Sequence, residues 1–231
     1  SEGQGTMGIC SGSGSTDSVA CVPTGMCLYN AARACEWEDA GICPSRVSGL
    51  AEAEGDGAVP WWLTDGKDSV MMTQDTCVAT SEELLNWWTV DLGRVTQIAK
   101  LVLHPRGDSF WERTYGSRSS NGTSIGLSVY VSDEDVPSAQ LGIGGLTRTP
   151  CALGVQPSGA GAEPPHVQHV ACSATARHVT VVVPYEQVEQ QAGGLVLCEV
   201  EVIALRPSLG GECCPDPSTF MSPGGQCVPC G

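Results

Sequence analysis

The feature that most constrains the fold is a pair of β-type segments, at residues 86–92 and 95–104, with Gly93 between them. The first segment alternates, as in a strand with one buried face. The second is apolar over most of its length, which indicates a largely buried strand. We expect Gly93 to break the pairing and Pro105, which lacks a backbone N–H, to end it. In the first segment, one face carries Trp88, Val90 and Leu92, and the other carries Trp87, Thr89 and Asp91.

A loop rich in polar groups follows the second segment. Arg106, Asp108 and Arg113 lie within a few residues of Pro105. Two guanidinium groups around one carboxylate, at the end of a rigid sheet, can form a small polar binding site. The alternative is a structural salt-bridge network, because buried charges must be paired.

Further β-type segments occur at residues 125–131, 178–183 and 195–205, separated by turn residues. Many short strands with turn punctuation predict an all-β protein, an antiparallel β-sandwich or jelly roll. We expect residues 140–165, which are rich in Gly and Pro, to form a long irregular connection. Near the start of the chain, the Ala-rich stretch at residues 24–39 predicts a short helix.

The chain has 13 cysteines, which indicates an oxidising compartment and a disulfide-rich protein. A zinc site is the alternative, since Cys227 and Cys230 have metal-site spacing. However, Cys213 and Cys214 are adjacent and no His lies near them, so we favour disulfides. The odd number means that one cysteine is free or has its partner outside this chain. Asn121 begins an N-glycosylation sequon, which fits secretion.

Charge and residue spacing argue against several classes of function. The formal net charge is -15, with 11 basic and 26 acidic residues and no basic cluster, so we expect no nucleic-acid partner. We expect no membrane span, because no apolar run approaches about 18 residues. Neither the adjacent acids nor the four histidines have the spacing of a catalytic site, so we expect no enzyme. The opening lacks Met and a signal-like segment, which predicts a processed chain or a piece of a longer one.

Residues 46–207 resemble the F-type lectins, or fucolectins. The marker of that family is a tryptophan pair leading into Val-Asp-Leu, followed by Arg-x-Asp and a second Arg after four more residues. The resemblance implies a discoidin-like antiparallel jelly roll, flanked here by small disulfide-rich segments at 1–45 and 208–231. The marker residues are Trp87 to Leu92, Arg106, Asp108 and Arg113, and further landmarks are Thr64-Asp65-Gly66, Cys77, Cys151, Cys172 and Leu197 to Val202.

The resemblance implies a sugar site in the loop after Pro105. Arg106 and Arg113 would donate hydrogen bonds to sugar oxygens, and Asp108 would hold the two guanidinium groups in place. Phe110 or Trp111 would supply an apolar surface for the sugar ring. The chain departs from the family at two points: Ala79 stands where the family has a sugar-binding His, and Ser109-Phe110 stands where it has an adjacent cysteine pair. His104 shares a strand face with Arg106, two residues further on, and could therefore replace that imidazole in part. The alternative is a plain surface histidine at a strand end.

Residues 64–69 form a short loop with an Asp-Gly turn and closely spaced oxygen side chains. Such a loop is either a plain Asx turn or a site for a hard cation such as Ca²⁺, which prefers oxygen ligands. The resemblance implies the second, a structural calcium site that backbone carbonyls complete. Lys67 stands where the family normally has an asparagine, and the family's loop is longer. The implied ligand residues are Asp65, Asp68, Ser69, Cys198 and Glu199.

The resemblance also implies two disulfides, Cys77–Cys198 and Cys151–Cys172. The tail resembles the start of a growth-factor-receptor-like cysteine-rich repeat of the type found in ephrin receptors, in which we expect Cys214 and Cys227 to be disulfide-bonded. We therefore expect an extracellular or cell-surface module of a larger glycoprotein that binds a glycan or glycoprotein, with specificity altered by the loss of the His. The alternative is a structural module that contacts a protein partner or neighbouring extracellular domains.

Overall fold

The computed structural model describes residues 26–33, 43–48, 60–66, 77–80, 86–107, 126–135, 148–156, 167–183, 195–207, 219–221 and 227–229. Within these ranges, β-strands and two 3₁₀ turns account for all regular structure, and there is no α-helix. The strands are β1 (Met26–Asn30), β2 (Ser45–Val47), β3 (Val78–Ala79), β4 (Asn86–Pro105), β5 (Leu127–Ser132), β6 (Thr149–Val155), β7 (Gln168–Val183), β8 (Val196–Pro207), β9 (Thr219–Met221) and β10 (Cys227–Pro229), and the 3₁₀ turns are Ala31–Arg33 and Pro60–Thr64.

Eight of these strands form one antiparallel sheet. Its main path runs β1-β8-β4-β7-β5-β6, while β2 pairs with β4 and β3 pairs with β8. The last two strands, β9 and β10, form a separate antiparallel pair. The expected all-β antiparallel architecture is therefore confirmed. Neither described 3₁₀ turn has the length or apolar character that a bilayer-crossing helix needs.

The sheet folds back on itself because β4 belongs to two layers. Its first half pairs with β2, and its second half pairs with β8. Apolar side chains from both halves share one buried core, including Trp88 from the first and Leu101 from the second. The hydroxyl of Thr80, beside β8, also lies 2.6 Å from Oδ1 of Asn86, at the start of β4. The two ends of β4 therefore lie near the same end of a β-sandwich.

The turn between the layers is a bulge in β4. Asp91 pairs with His178 of β7, and the next pair is Thr96 with Ala176, so β4 has extra residues between them. Gly93 lies in this bulge with a φ of 73°, a conformation that favours glycine. Gly93 interrupts the pairing, as expected, but the two segments form one bulged strand that continues to Pro105 and not two separate strands. Pro105 ends it, as expected.

The helix expected at residues 24–39 is also wrong over its described part. Met26–Asn30 is a strand paired with β8, followed by the 3₁₀ turn Ala31–Arg33. Oδ1 of Asn30 accepts hydrogen bonds from the backbone N–H groups of Ala32 and Val202, at 3.2 and 3.3 Å. These bonds favour a turn after β1, and sheet pairing outweighs the helix propensity of the alanines. The leader thus contributes a strand to the main sheet.

The long irregular connection expected at residues 140–165 contains a strand, β6, so that expectation is wrong for residues 149–155. β6 pairs with β5 and lies at the end of the main sheet path. Pro150 and Gly154 are tolerated there because an edge strand forms fewer ladder hydrogen bonds. Because proline and glycine are uncommon inside strands, the sequence pattern indicated a loop at these residues.

Two disulfides join strands that are distant in sequence, with the pairings that the resemblance implies. Cys77, before β3, bonds to Cys198 of β8, at a sequence separation of 121. Cys151 of β6 bonds to Cys172 of β7, at a separation of 21. The expected bond between Cys214 and Cys227, and the sequon at Asn121, lie outside what the structure describes.

Removing the long-range disulfide should cost more stability than removing the short-range one. In the chain-entropy model, the loop closed by Cys77–Cys198 is worth about 5 kcal/mol and that closed by Cys151–Cys172 about 3 kcal/mol. We expect C77A/C198A to lower the free energy of unfolding by more than C151A/C172A, as measured by urea denaturation. The opposite ranking would contradict this account of the two bonds.

The bulge of β4 is held by an ion pair. Nε and Nη2 of Arg177 each donate to one carboxylate oxygen of Asp91, both at 2.7 Å, and the N–H of Gly93 donates to Asp91 Oδ1 at 2.8 Å. Burial alone would raise the pKa of Asp91, but the hydrogen bonds from Arg177 and Gly93 outweigh it and lower that pKa. The ionised carboxylate is therefore the form that stabilises the bulge.

We expect Asp91→Asn to destabilise the fold at pH 7 by weakening this pair. Because the pKa of Asp91 is lowered on folding, its contribution is fully present above the unfolded-state pKa and is lost as the pH falls through the folded-state pKa. The stability difference between the parent and Asp91→Asn should therefore shrink below about pH 4. Urea denaturation at pH 7 and pH 3 measures it. Asp135→Asn, which removes an exposed partner of Arg46, is the control and should have little effect; equal effects of the two variants would contradict the prediction.

Candidate functional site

The register of β8 brings two expected site positions together at one end of the sandwich. Leu197 pairs with Pro105 on one side and with Val78 on the other. Arg106 and Ala79 are the next residues along these two flanking chains, so they lie on either side of the start of β8. Two inter-strand spacings separate them, about 10 Å. The position of the first site arginine and the position where the lectins have a His therefore lie in one region at this end of the sandwich.

Arg106 and Ala79 differ in what they can offer a ligand. The Arg106 side chain is buried, with 8% exposed, at the point where β4 ends. Ala79 is 7% exposed and contributes only a methyl group. The other expected sugar-site residues, Asp108, Phe110, Trp111 and Arg113, lie outside the described residues. The site therefore has a cationic donor on one side of β8 and no polar side chain at Ala79 on the other.

The ring of His104, the candidate for a partial replacement of the imidazole, has a partner inside the sheet. Its Nε2 lies 3.0 Å from Oε1 of Glu201 on the neighbouring strand β8. This contact engages one of its ring nitrogens across the sheet. His104 thus has a structural partner two residues before Arg106.

A buried hydrogen-bond network supports this end of the sandwich. The Thr80 hydroxyl accepts from the N–H of Leu195 at 2.8 Å and donates to Oδ1 of Asn86 at 2.6 Å. The N–H of Thr80 donates to the carbonyl of Leu195 at 2.9 Å. Sequence reasoning missed this network. The only signal was the presence of two polar residues, Thr80 and Asn86, at the ends of apolar segments.

A second group of polar residues lies where the calcium loop was expected. Glu199 of β8 is 2% exposed, and the N–H of Gly66 donates to its two carboxylate oxygens at 3.2 and 3.3 Å. Burial, and then the negative charge of Asp65, raise the pKa of Glu199 to about 9, while Gly66 and Arg33 oppose that rise. Added positive charge would therefore be favourable beside these two acids.

This arrangement fits part of the expected calcium site. Asp65 and Glu199 come together, and Cys198, whose carbonyl is an expected ligand, directly precedes Glu199. Asp68 and Ser69 lie outside the described residues. In the described part of the chain no three His, Cys, Asp or Glu side chains form a metal cage. The two acids thus provide oxygen ligands of the type that Ca²⁺ prefers, but not a complete set.

Two solved structures with a similar fold are a fucolectin and a lectin binding domain. A fucolectin from the serum of the striped bass, Morone saxatilis, matches with a TM-score of 0.53 and 21% sequence identity, over 82% of this chain and 51% of that chain. This chain therefore spans about half the length of that fucolectin. A histidine mutant of the lectin binding domain of lectinolysin, in complex with Lewis b, matches with a TM-score of 0.50 and 21% identity, over 75% of this chain and 94% of that chain. These likenesses show a common fold.

The sequence itself carries a family signature over the core of the sandwich. No curated protein sequence matches the chain at a significant level. The family model described as the NedA-like, galactose-binding domain matches residues 63–181, which is just over half of the chain and includes β3 to β6 and most of β7. The chain belongs to the NedA-like, galactose-binding domain family.

Proposed function

We propose that the chain is a carbohydrate-binding module whose site lies at the end of the sandwich, around Arg106. The observation that carries this proposal is the register at Leu197, which places Arg106 and Ala79 on either side of β8. A guanidinium group held at a strand end presents several fixed donors to the hydroxyl oxygens of a sugar. Membership of a galactose-binding-like family supports the same conclusion.

In this proposal Arg106 and Arg113 donate to the sugar, and Asp108 holds the guanidinium groups. Phe110 or Trp111 covers the apolar face of the ring, as aromatic side chains do in sugar sites. Ala79 is buried and offers no polar side-chain group where the lectins have an imidazole. We therefore expect a ligand that presents carbon rather than a hydroxyl to Ala79, such as a deoxy sugar other than fucose.

The chain's cysteine chemistry supports an extracellular location. Thirteen cysteines, of which four form the two described disulfides, require an oxidising compartment. We propose that the chain is part of a secreted or cell-surface glycoprotein, with a glycan or a glycoprotein as its partner. The sequon at Asn121 fits that setting.

We also propose that the loop beside Glu199 binds Ca²⁺ with a structural role. Asp65 and Glu199 supply two carboxylates, and Asp68, Ser69 and the carbonyl of Cys198 complete the oxygen ligands. A bound cation offsets the repulsion between two neighbouring acids. It would thereby fix the loop after the 3₁₀ turn Pro60–Thr64 to strand β8.

A second function deserves a test because of Ala79. Without the imidazole, the fold could serve as a structural module that contacts a protein partner or a neighbouring domain, and the arginines would then form a structural salt-bridge network. The two functions differ in what removal of an arginine does. Loss of an arginine that donates hydrogen bonds to the sugar affects binding, whereas loss of one member of a buried ion pair affects folding.

We expect Arg113→Ala to abolish glycan binding while the melting temperature stays within about 2 °C of the parent, since the lost hydrogen bonds are to the ligand. Binding is measured on a glycan array and then by titration with the sugar that the array identifies. Arg94→Ala is the matched control, because Arg94 is exposed in the bulge of β4, away from Arg106. That variant should bind as the parent does.

The opposite pattern would identify the structural module. If Arg113→Ala lowers the free energy of unfolding by roughly 3 kcal/mol or more, its guanidinium neutralises a buried carboxylate. If the parent protein also binds no glycan on the array, the carbohydrate-binding proposal is wrong.

The cation proposal predicts a higher melting temperature in calcium than in chelator. A ligand present at 100 times its dissociation constant stabilises a protein by about 2.7 kcal/mol, which is on the order of 5 °C for a chain of this size. The shift should be lost in Glu199→Gln and kept in Glu201→Gln, the matched control on the same strand. The same melting temperature for the parent in calcium and in chelator would show that the loop binds no calcium.

A further inference from the structure

One cation in the described structure already lies beside the acidic pair, and it comes from the cysteine-rich leader. Arg33 ends the 3₁₀ turn that follows β1. The two residues before it, Ala31 and Ala32, are buried in the main core. The carbonyl of Ala32 accepts a hydrogen bond from the N–H of Cys43 at 3.1 Å. The backbone that carries Arg33 is therefore fixed to the sandwich.

The guanidinium group of Arg33 packs against Gly66. It occupies the space where the Cβ of any other residue would lie, so a larger residue at this position would displace the guanidinium group. Gly66 also has a φ of 80°, which favours glycine independently. The same residue donates its N–H to both carboxylate oxygens of Glu199. Arg33 and Glu199 thus share Gly66 as a neighbour, and Asp65 directly precedes it.

Charge explains why a guanidinium is favourable at this point. Glu199 is almost fully buried, and the negative charge of Asp65 acts on it. The positive charge of Arg33 acts on the same carboxyl in the opposite direction. An arginine suits a partly buried position because its guanidinium is weakly hydrated and remains charged. A divalent cation between these acids would meet Arg33 as a like charge.

We propose that Arg33 is a built-in counter-cation of the Asp65–Glu199 pair and that it competes with a divalent cation for the negative charge of that pair. The second part rests on the proposed calcium site, whereas the first does not. Arg33 and a divalent cation interact with the same negative charges, so their effects are thermodynamically coupled. The factor by which Arg33 stabilises the metal-free form is therefore the factor by which it lowers the affinity for the metal. The leader then holds the loop in place when calcium is absent.

The first experiment tests the counter-cation without metal. Melting temperatures are measured in chelator for the full chain, for Arg33→Gln, for D65N/E199Q, and for the triple variant. Arg33→Gln should lower the melting temperature by roughly 2–4 °C in the parent background. It should have no such effect in D65N/E199Q, because the charge that it neutralises is gone. An equal loss in both backgrounds would overturn the proposal.

Two further variants keep this experiment decisive. If D65N/E199Q does not fold, Asp65→Asn alone serves as the second background, where the effect of Arg33→Gln should be smaller than in the parent. Arg94→Gln removes an exposed positive charge elsewhere and controls for the general effect of making an acidic chain more acidic. A loss from Arg94→Gln as large as that from Arg33→Gln would also overturn the proposal.

The second experiment tests the competition by calorimetric titration with CaCl₂. Arg33→Gln should bind calcium at least about fivefold more tightly than the parent, and Arg33→Lys, which keeps the charge, should bind more nearly as the parent does. Equal or weaker binding by Arg33→Gln would overturn the competition. If neither chain binds calcium, the calcium proposal and the competition both fail, and the metal-free measurements alone decide whether Arg33 is the counter-cation.

Discussion

The pairing of β4 with neighbours in both layers is the constraint on which the rest of the structure depends. Its first half pairs with β2 and its second half with β8, while β7 follows it along both halves. One bulged strand pair therefore builds both layers, and its apolar residues fill the core between them. The bulge at Gly93 and the Asp91–Arg177 pair set the point where the sheet folds back.

This geometry explains where the candidate sites are. A strand that folds back at its middle brings its two ends near one edge of the sandwich, which is where Asn86 meets Thr80 and where Arg106 leaves the sheet. The start of β8 lies between β3 and the end of β4, and its disulfide at Cys198 fixes that position. Residues that bind a ligand there are held by backbone pairing and a covalent bond, and only the loops beyond them are free to vary.

The sequence predicted those parts of the fold whose signals are local. Alternation identified the first half of β4, a continuous apolar run identified the second, and the missing N–H of Pro105 located its end. The sequence did not predict β1 or β6. In β1, pairing with a distant strand outweighed the helix preference of the nearby alanines, and in β6 it outweighed the turn preference of Pro150 and Gly154. In the candidate site, Arg106 was named from the cluster of charged residues after Pro105, and Glu199 from the family resemblance. Arg33 and Thr80 were not, because their roles depend on partners far away in sequence that no local pattern encodes.

The position of the leader is related to the negative charge of the loop that contains Asp65. Two carboxyl groups beside Gly66, one of them the buried Glu199, are unfavourable in their charged forms without a positive charge nearby. A metal ion supplies that charge only where the ion is available. A guanidinium in the turn that follows a paired strand supplies it permanently, because β1 is fixed to β8, the strand that carries Glu199. In the proposal above, the guanidinium group of Arg33 weakens calcium binding by like-charge repulsion. It also makes the stability of the loop less dependent on the calcium concentration. The pairing of the leader with β8 therefore places Arg33 where its positive charge opposes the rise in the pKa of Glu199 that burial and Asp65 cause.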